Sequence, residues 1–264
     1  MSIFMYLVMF FIGFIGSFFS GMLGIGGSII NYPLLLYVPD WLNVSHFTAK
    51  QVSSISMFQV LFSSLSGVIA YWKMSKKDVS FVHKGLVLYM GGSILIGSLI
   101  GGVCSKFLPS ESINIVYGVL AVLAVLLMII PQHKSCDRMQ VNEITFNRVL
   151  AMVISFVVGI VSGIVGAGGA FILIPIMLTV LKIPMRITIA SSLAVVFLSA
   201  IGGAFGKLTT GEIPFWATFF AVAGSLLGAP LGSFMSRRMN VNMLRYGLMV
   251  LISLTAIKIW YSIL

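Results

Sequence analysis

The chain has 264 residues, of which 59% are hydrophobic and only 8% charged, with a mean hydropathy of +1.11. A soluble domain of this length could not hide so much apolar surface, so the composition excludes one and points to a single integral membrane domain over residues 1–264. In a soluble protein a net charge of +10 would suggest nucleic acid, but here the basic residues are spread over short loops; membrane topology accounts for them and no nucleic-acid partner is expected.

Taken in chain order, apolar segments separated by polar or glycine breaks are expected as helices at about 3–20, 28–39, 50–72, 82–104, 112–130, 147–162, 170–181, 187–206, 214–236 and 242–263. The first has no basic residue ahead of it and no small-residue cleavage site after it, so it reads as a retained span and not as a signal peptide. The second and seventh are short for a full span of about 20 residues. Each follows a glycine string. Residues 20–33 read Ser-Gly-Met-Leu-Gly-Ile-Gly-Gly, five residues, then Pro33; residues 162–175 read Ser-Gly-Ile-Val-Gly-Ala-Gly-Gly, five residues, then Pro175. Segments one and two, and six and seven, therefore read as helix hairpins joined by a glycine turn. The prolines lie one to two turns inside the short helices, where they weaken the helix and favour a kink.

The repetition extends past the glycines. Ser53-Ser54 matches Ser191-Ser192, Gly97 and Gly101 match Gly228 and Gly232, and Ser105-Lys106 matches Ser236-Arg237. Asp78 and Glu212 each stand just before the fourth segment of a half. Residues 1–131 thus form repeat one and 147–264 repeat two, joined by a polar linker over 132–146. If each repeat is a hairpin plus three spans, with both hairpin ends on one face, the basic residues split 12 to 4, with only Lys50, Lys106, Lys207 and Lys258 on the poorer side. If the short segment merely dips in and returns, the split is 9 to 7. The positive-inside rule favours the first arrangement. The fold class expected is an all-α integral membrane protein of two inverted repeats, each a glycine-turn helix hairpin plus three transmembrane helices. Both termini would be non-cytoplasmic in a multi-pass protein of the cell membrane.

Inside hydrocarbon, irregular backbone survives only where it is buried or lines a cavity. Gly24, Gly26 and Gly27, like Gly166, Gly168 and Gly169, allow positive φ and leave backbone N–H groups uncovered. The helices starting near Ser28 and Ala170 then aim their positive ends at that place. Uncovered N–H groups at a helix N-terminus bind anions without any cationic side chain. Glycine-broken helices at matching positions of two halves mark a transporter's substrate site. Around them the candidates are Gln51, Ser53, Ser54, Ser56 and Gln59, opposite Thr188, Ser191 and Ser192, at the first turns of segments three and eight. Lys50 reads as a snorkelling anchor or an attracting charge at the outer mouth. Asn31 is a weaker candidate, because its counterpart is the apolar Leu173. Gly97, Gly101, Gly228 and Gly232 read as packing residues.

Through the two strings Ser20-Gly21…Gly24-x-Gly26-Gly27…Pro33 and Ser162-Gly163…Gly166-x-Gly168-Gly169…Pro175, and the serine pairs at 53–54 and 191–192, nearly the whole chain resembles the sulfite exporter TauE/SafE family of membrane permeases. The resemblance implies transport of small sulfur-containing anions such as sulfite, sulfonates or sulfoacetate. Members often carry a third glycine where this chain has Ser28 and Ala170, a difference that bears on the size of the pocket.

An enzyme is not expected. His46, His83 and His133 fall in predicted loops or at a membrane edge, so a membrane serine would lack a base. Cys104 and Cys136 form no metal or redox spacing, and no cofactor or metal is expected. A Gly-x-Gly nucleotide fingerprint is excluded because no strand precedes it. A passive anion channel, a proton-coupled uptake carrier and a purely structural subunit stay open as alternatives. Asp40, Asp78, Glu111, Asp137, Glu143 and Glu212 are all expected in loops, which argues against a carboxylate proton relay and for export.

The charge split generates a direct test. With native cysteines removed, single cysteines placed at 73–84 and 131–148 should be shielded from an impermeant thiol reagent in intact cells. One placed at 207–213 should be labelled. Labelling at all three places would rule out the inverted arrangement.

Overall fold

The structure, a computed structural model, describes residues 3–23, 28–74, 83–129 and 146–263. Within them the chain forms α1 (Ile3–Leu23), α2 (Ser28–Trp41), α3 (Ala49–Met74), α4 (Lys84–Cys104), α5 (Ser110–Ile129), α6 (Arg148–Val165), α7 (Ala170–Thr179), α8 (Met185–Leu208), α9 (Phe215–Arg238) and α10 (Val241–Ile263). A single 3-10 turn, Ser105–Phe107, follows α4, and among the described residues no strand occurs. Seven of the described helices are long and apolar enough to cross a membrane. Each of the ten apolar segments is a helix, and α2 and α7 are the short ones, as their sequences imply. The first glycine string, Gly24 to Gly27, and residues 132–145 of the linker, with His133 and Cys136, lie outside the described residues, as do Asp78, Asp137 and Glu143.

The helices pack as two interlocked sets. α1 lies along α9, and α6 along α4; α3 meets α9, and α8 meets α4; α2 meets α10, and α7 meets α5; α3 and α8 contact each other, as do α5 and α10. Adding five to a helix number turns each of these pairs into another pair of the set or into itself, which is what a duplicated chain produces when each half packs chiefly on the other. The α3 and α8 spans are the most enclosed, 61% and 78% buried, against 28% for α5. Large apolar side chains that stay exposed, such as Phe11, Ile15, Leu123, Leu126, Val153 and Phe219, present the surface that lipid would cover.

Small residues set the spacing of the tightest pairs. A Cβ on Gly97 or Gly101 of α4 would fall on the carbonyl oxygens of Phe156 or Ile160 in α6. One on Gly228 or Gly232 of α9 would fall on those of Phe14 or Phe18 in α1. The backbones touch because nothing larger than hydrogen stands between them, the close approach on which association in lipid depends. Both glycine pairs are thus packing residues, as their spacing implies.

One end of the bundle collects the sparse charge of the poorer face. Lys50 Nζ lies 3.9 Å from Glu212 and donates to the Lys106 carbonyl at 3.3 Å, while Lys258 stands over the Tyr37 ring at 5.1 Å. At the opposite end of α4, Arg148 bonds Tyr89 at 3.1 Å and His83 caps the helix by accepting from the Leu86 N–H at 3.0 Å. Two acids expected in loops are in helix ends instead. Glu111 falls in the first turn of α5, where the helix dipole favours an acid, and Asp40 falls in the last turn of α2, paired with His46.

Close packing predicts a contrast between two glycines of one helix. Gly101→Val should destabilise by at least about 3 kcal/mol, because a backbone carbonyl cannot step aside, and folded yield should collapse. Gly92→Val, at an exposed position with nothing within 4 Å of the new Cβ, should change stability by about 0.5 kcal/mol or less. Monodispersity and unfolding midpoint of the purified variants measure both, and equal behaviour would refute the packing role.

Candidate functional site

The second glycine string is a turn between α6 and α7 in the interior of the bundle. Gly166 ends α6 in the left-handed region (φ 80°, ψ 24°), and the N–H groups of Gly166 and Ala167 both donate to the Ser162 carbonyl, at 2.8 and 3.0 Å. Gly168 (φ 62°) and Gly169 (φ 77°) are left-handed too, and Gly169 stands at the N-cap of α7 with no side-chain oxygen to cap the helix. Three left-handed residues in four explain why the string needs glycine.

All four turn residues and Ala170 are buried. A Cβ on Gly166 would fall on the Ser53 carbonyl oxygen of α3; one on Gly168 would come to 2.6 Å from Val60 Cγ1 and 3.2 Å from Val196 Cγ1. Val60 and Val196 sit near the midpoints of α3 and α8, so the turn is wedged where the two most enclosed helices meet. The Ile172 and Leu173 N–H groups return to the Gly169 carbonyl at 3.2 and 3.0 Å, but the Gly168 and Gly169 N–H groups make no hydrogen bond among the described residues. Buried N–H groups without an acceptor are rare in folded proteins.

The C-terminal end of α6 is treated differently. The Ile164 carbonyl accepts from Ser53 Oγ at 3.0 Å and from Lys207 Nζ at 2.9 Å. Lys207, in the last turn of α8 and only 1% exposed, also donates to Ser105 Oγ at 2.8 Å, whose own proton goes to the Gly102 carbonyl at 2.6 Å. An ammonium thus lies against the negative end of a helix, two residues before the turn. It makes no ion pair among the described residues; Lys50 has Glu212 instead.

Of the residues singled out by sequence, the structure brings Gly166, Gly168, Gly169, Ala170 and Ser53 together. Ser191 lies elsewhere, accepting from the His83 N–H at 3.1 Å and tying α8 to the start of α4. Ser54 and Ser192 bond carbonyls of their own helices, those of Lys50 and Ile189, at 3.0 Å each. Gln51 is engaged in a reciprocal capping box at the exposed start of α3, accepting from the Thr48 N–H at 3.1 Å while its own N–H reaches Thr48 Oγ1 at 3.3 Å. Gly24, Gly26, Gly27 and the Ser28 side chain lie outside the described residues. Among the described residues no cluster of three His, Cys, Asp or Glu could hold a metal.

Lys207 is the residue that sequence reasoning misplaced. The apolar segment was closed at 206 because a lysine follows, whereas the helix runs on to Leu208 and carries the lysine inside. A single charge at the margin of an otherwise uncharged span was the available signal.

Comparison with known proteins agrees with this architecture. The sequence model described as Sulfite exporter TauE/SafE matches residues 9–259. The chain is 24% identical over 250 residues to the probable membrane transporter protein YunE of Bacillus subtilis (strain 168), covering 89% of this chain and 90% of that one. It is 26% identical to the probable membrane transporter protein YdhB of the same organism, over 86% and 87% of the two chains. A probable membrane transporter protein of Xylella fastidiosa (strain Temecula1) is 26% identical over 87% and 84%. No solved structure matches the chain. A multi-pass helical membrane protein with a match over nearly its whole length, this chain belongs to the TauE/SafE family of membrane transporters.

Proposed function

We propose that this permease exports small sulfur-containing anions, sulfite or sulfonates, and holds them by backbone N–H groups and helix N-termini at its two glycine turns near the bilayer midplane. The observation that carries the reading is the pair of buried N–H groups at Gly168 and Gly169, without a hydrogen bond among the described residues, at the uncapped start of α7. A backbone site of this kind suits an oxyanion, whose oxygens accept from N–H groups without forming a tight ion pair that would slow release. Lys207, two residues upstream through the Ile164 carbonyl, adds positive potential on the same side of the turn. The wedge between Val60 and Val196 supports a midplane position, and the exchange pattern of helix pairs supports two repeats; that they are inverted, with both termini outside the cytoplasm, rests on the 12-to-4 split of basic residues.

Direction follows from energetics. No carboxylate lies within the central part of a described span, so a proton relay through acids is absent from them. With a negative cell interior, outward movement of one negative charge gains about 2.3 kcal/mol per 100 mV. A tenfold concentration gradient is worth about 1.4 kcal/mol, so the field outweighs it.

Two measurements test this. Gly169→Val adds a branched side chain at a left-handed residue, a strain of about 1–3 kcal/mol, and crowds the space beside the Gly168 and Gly169 N–H groups. The variant should still insert and purify as a folded protein but lose at least about tenfold of its sulfite flux, a barrier change of about 1.4 kcal/mol; wild-type flux would return the glycine to a packing role. In proteoliposomes, sulfite efflux should speed up when the interior is made negative. Uptake that persists against that potential, and stops when the proton gradient is collapsed, would overturn export.

A further inference from the structure

Repeat one holds a polar cluster that helix packing does not explain. Asn31, in the first turn of α2, is fully buried, and neither its Oδ1 nor its Nδ2 makes a hydrogen bond. Its Oδ1 occupies the place where a side chain on Gly16 of α1 would stand, so glycine at 16 is what admits it. One turn earlier in α1, the Gly13 carbonyl accepts from Gln59 Nε2 of α3 at 3.3 Å. That bond fixes the orientation of the Gln59 amide and leaves its buried Oε1 without a donor. Ser20 of α1 lies one turn beyond Gly16, and its hydroxyl is buried and unbonded; Ser56, one turn before Gln59 in the parallel α3, lies on the other side of the Gly13–Gln59 contact, and its hydroxyl is buried and unbonded too.

The duplicated chain supplies its own comparison. At the register of Asn31, Ser56 and Gln59, repeat two carries Leu173, Ala194 and Phe197. Leu173 is fully buried, so the fold accepts an apolar residue in that place. Ser162, the counterpart of Ser20, satisfies its hydroxyl on the Gly159 carbonyl at 3.1 Å, which Ser20 does not do. The scaffold therefore does not require these polar groups, and each one left unbonded in the interior is a cost to folding. A ligand that bonds them offsets the cost.

We infer that Asn31, Gln59 and Ser20 are the side-chain part of the substrate site and select a small oxyanion that carries its own hydrogen-bond donor. The inference rests on the permease reading above. The donors are the Asn31 amide N–H and the Ser20 hydroxyl, which suit oxyanion oxygens; the acceptors are Gln59 Oε1 and Asn31 Oδ1, which need a proton or an N–H from the ligand. Protonated sulfite and amino-sulfonates offer one, and sulfate does not. A bare cation fits poorly, since no carboxylate within the central part of any described span would compensate it and Asn31 lies in the first turn of α2, its positive end.

The test is the unfolding midpoint of the purified full chain with sulfite in mildly acidic buffer, taurine, sulfate or sodium chloride. Wild type should be stabilised by sulfite or taurine and not by sulfate. Asn31→Leu should have an unliganded midpoint at or above that of wild type and lose the ligand shift. Ser20→Ala should need about tenfold more ligand for the same shift. Asn31→Leu with an undiminished shift, or with a lowered unliganded midpoint, would make Asn31 structural and overturn the inference. So would equal stabilisation by sulfate, or stabilisation by sodium in place of the anion. If no anion stabilises wild type, the permease reading itself fails, and the two failures are thereby told apart.

Discussion

Hydrocarbon offers no hydrogen-bond partner, so wherever a helix stops inside the bundle its backbone groups must find partners within the protein. The break between α6 and α7 meets this demand at one end and leaves it open at the other. On the α6 side, Ser162 takes the N–H groups of Gly166 and Ala167, and the Ile164 carbonyl receives both a serine hydroxyl and a buried ammonium. On the α7 side, the N–H groups of Gly168 and Gly169 have no acceptor among the described residues and the N-cap has no side chain. A break that served only to turn the chain would have been closed on both sides by ordinary capping residues. The imbalance leaves positive potential at one spot in the interior.

Glycine does two jobs in this chain, and the structure separates them by φ and by what surrounds the Cα. Gly97, Gly101, Gly228 and Gly232 have ordinary helical backbone and let a neighbouring carbonyl come close. Gly168 and Gly169 are left-handed, and their neighbours are mainly the ends of valine, isoleucine and serine side chains. The first kind fixes the distance between α4 and α6, and between α1 and α9. The second kind fixes the path of the chain within the space so defined. Gly166 joins the two roles, being left-handed and pressed against the Ser53 backbone at once. That contact registers the turn of repeat two on a helix of repeat one, so the halves can slide past each other only by moving the turn.

Much of this was legible in the residues because it follows from strong local rules. Ten apolar stretches, two of them short, become ten helices because length and hydropathy dominate in lipid. A string with glycine at 166, 168 and 169 becomes a left-handed turn because other residues are strained there. What was not legible depended on which neighbours a polar side chain would meet. Gln51 looks like a site residue next to a serine pair, yet Thr48-x-x-Gln51 is a capping box, a local pattern that competes for the same amide. Ser191 has the spacing of Ser53, but its neighbour across the bundle is the His83 N–H instead of the carbonyl of a broken helix. The apolar Leu173 made Asn31 look like a stray substitution, whereas burial and the absence of any bond give it weight.

The two halves are alike in backbone plan and unlike in polar content. Repeat two carries the buried charge, Lys207, where the register of repeat one places Ile69, 42% exposed. Repeat one carries the buried neutral amides, Asn31 and Gln59, where repeat two has Leu173 and Phe197. The helices of the two halves share one core, and nothing in helix packing obliges the halves to differ at these positions. A charged donor attracts an anion from any direction but discriminates little among anions, whereas a neutral amide with a fixed donor and acceptor orientation attracts weakly and discriminates by shape and protonation. In the proposed site, dividing those two tasks between the halves would keep the total positive charge low. An anion held by few full charges leaves faster than one held in a strong ion pair, and a transporter must release what it binds on every cycle.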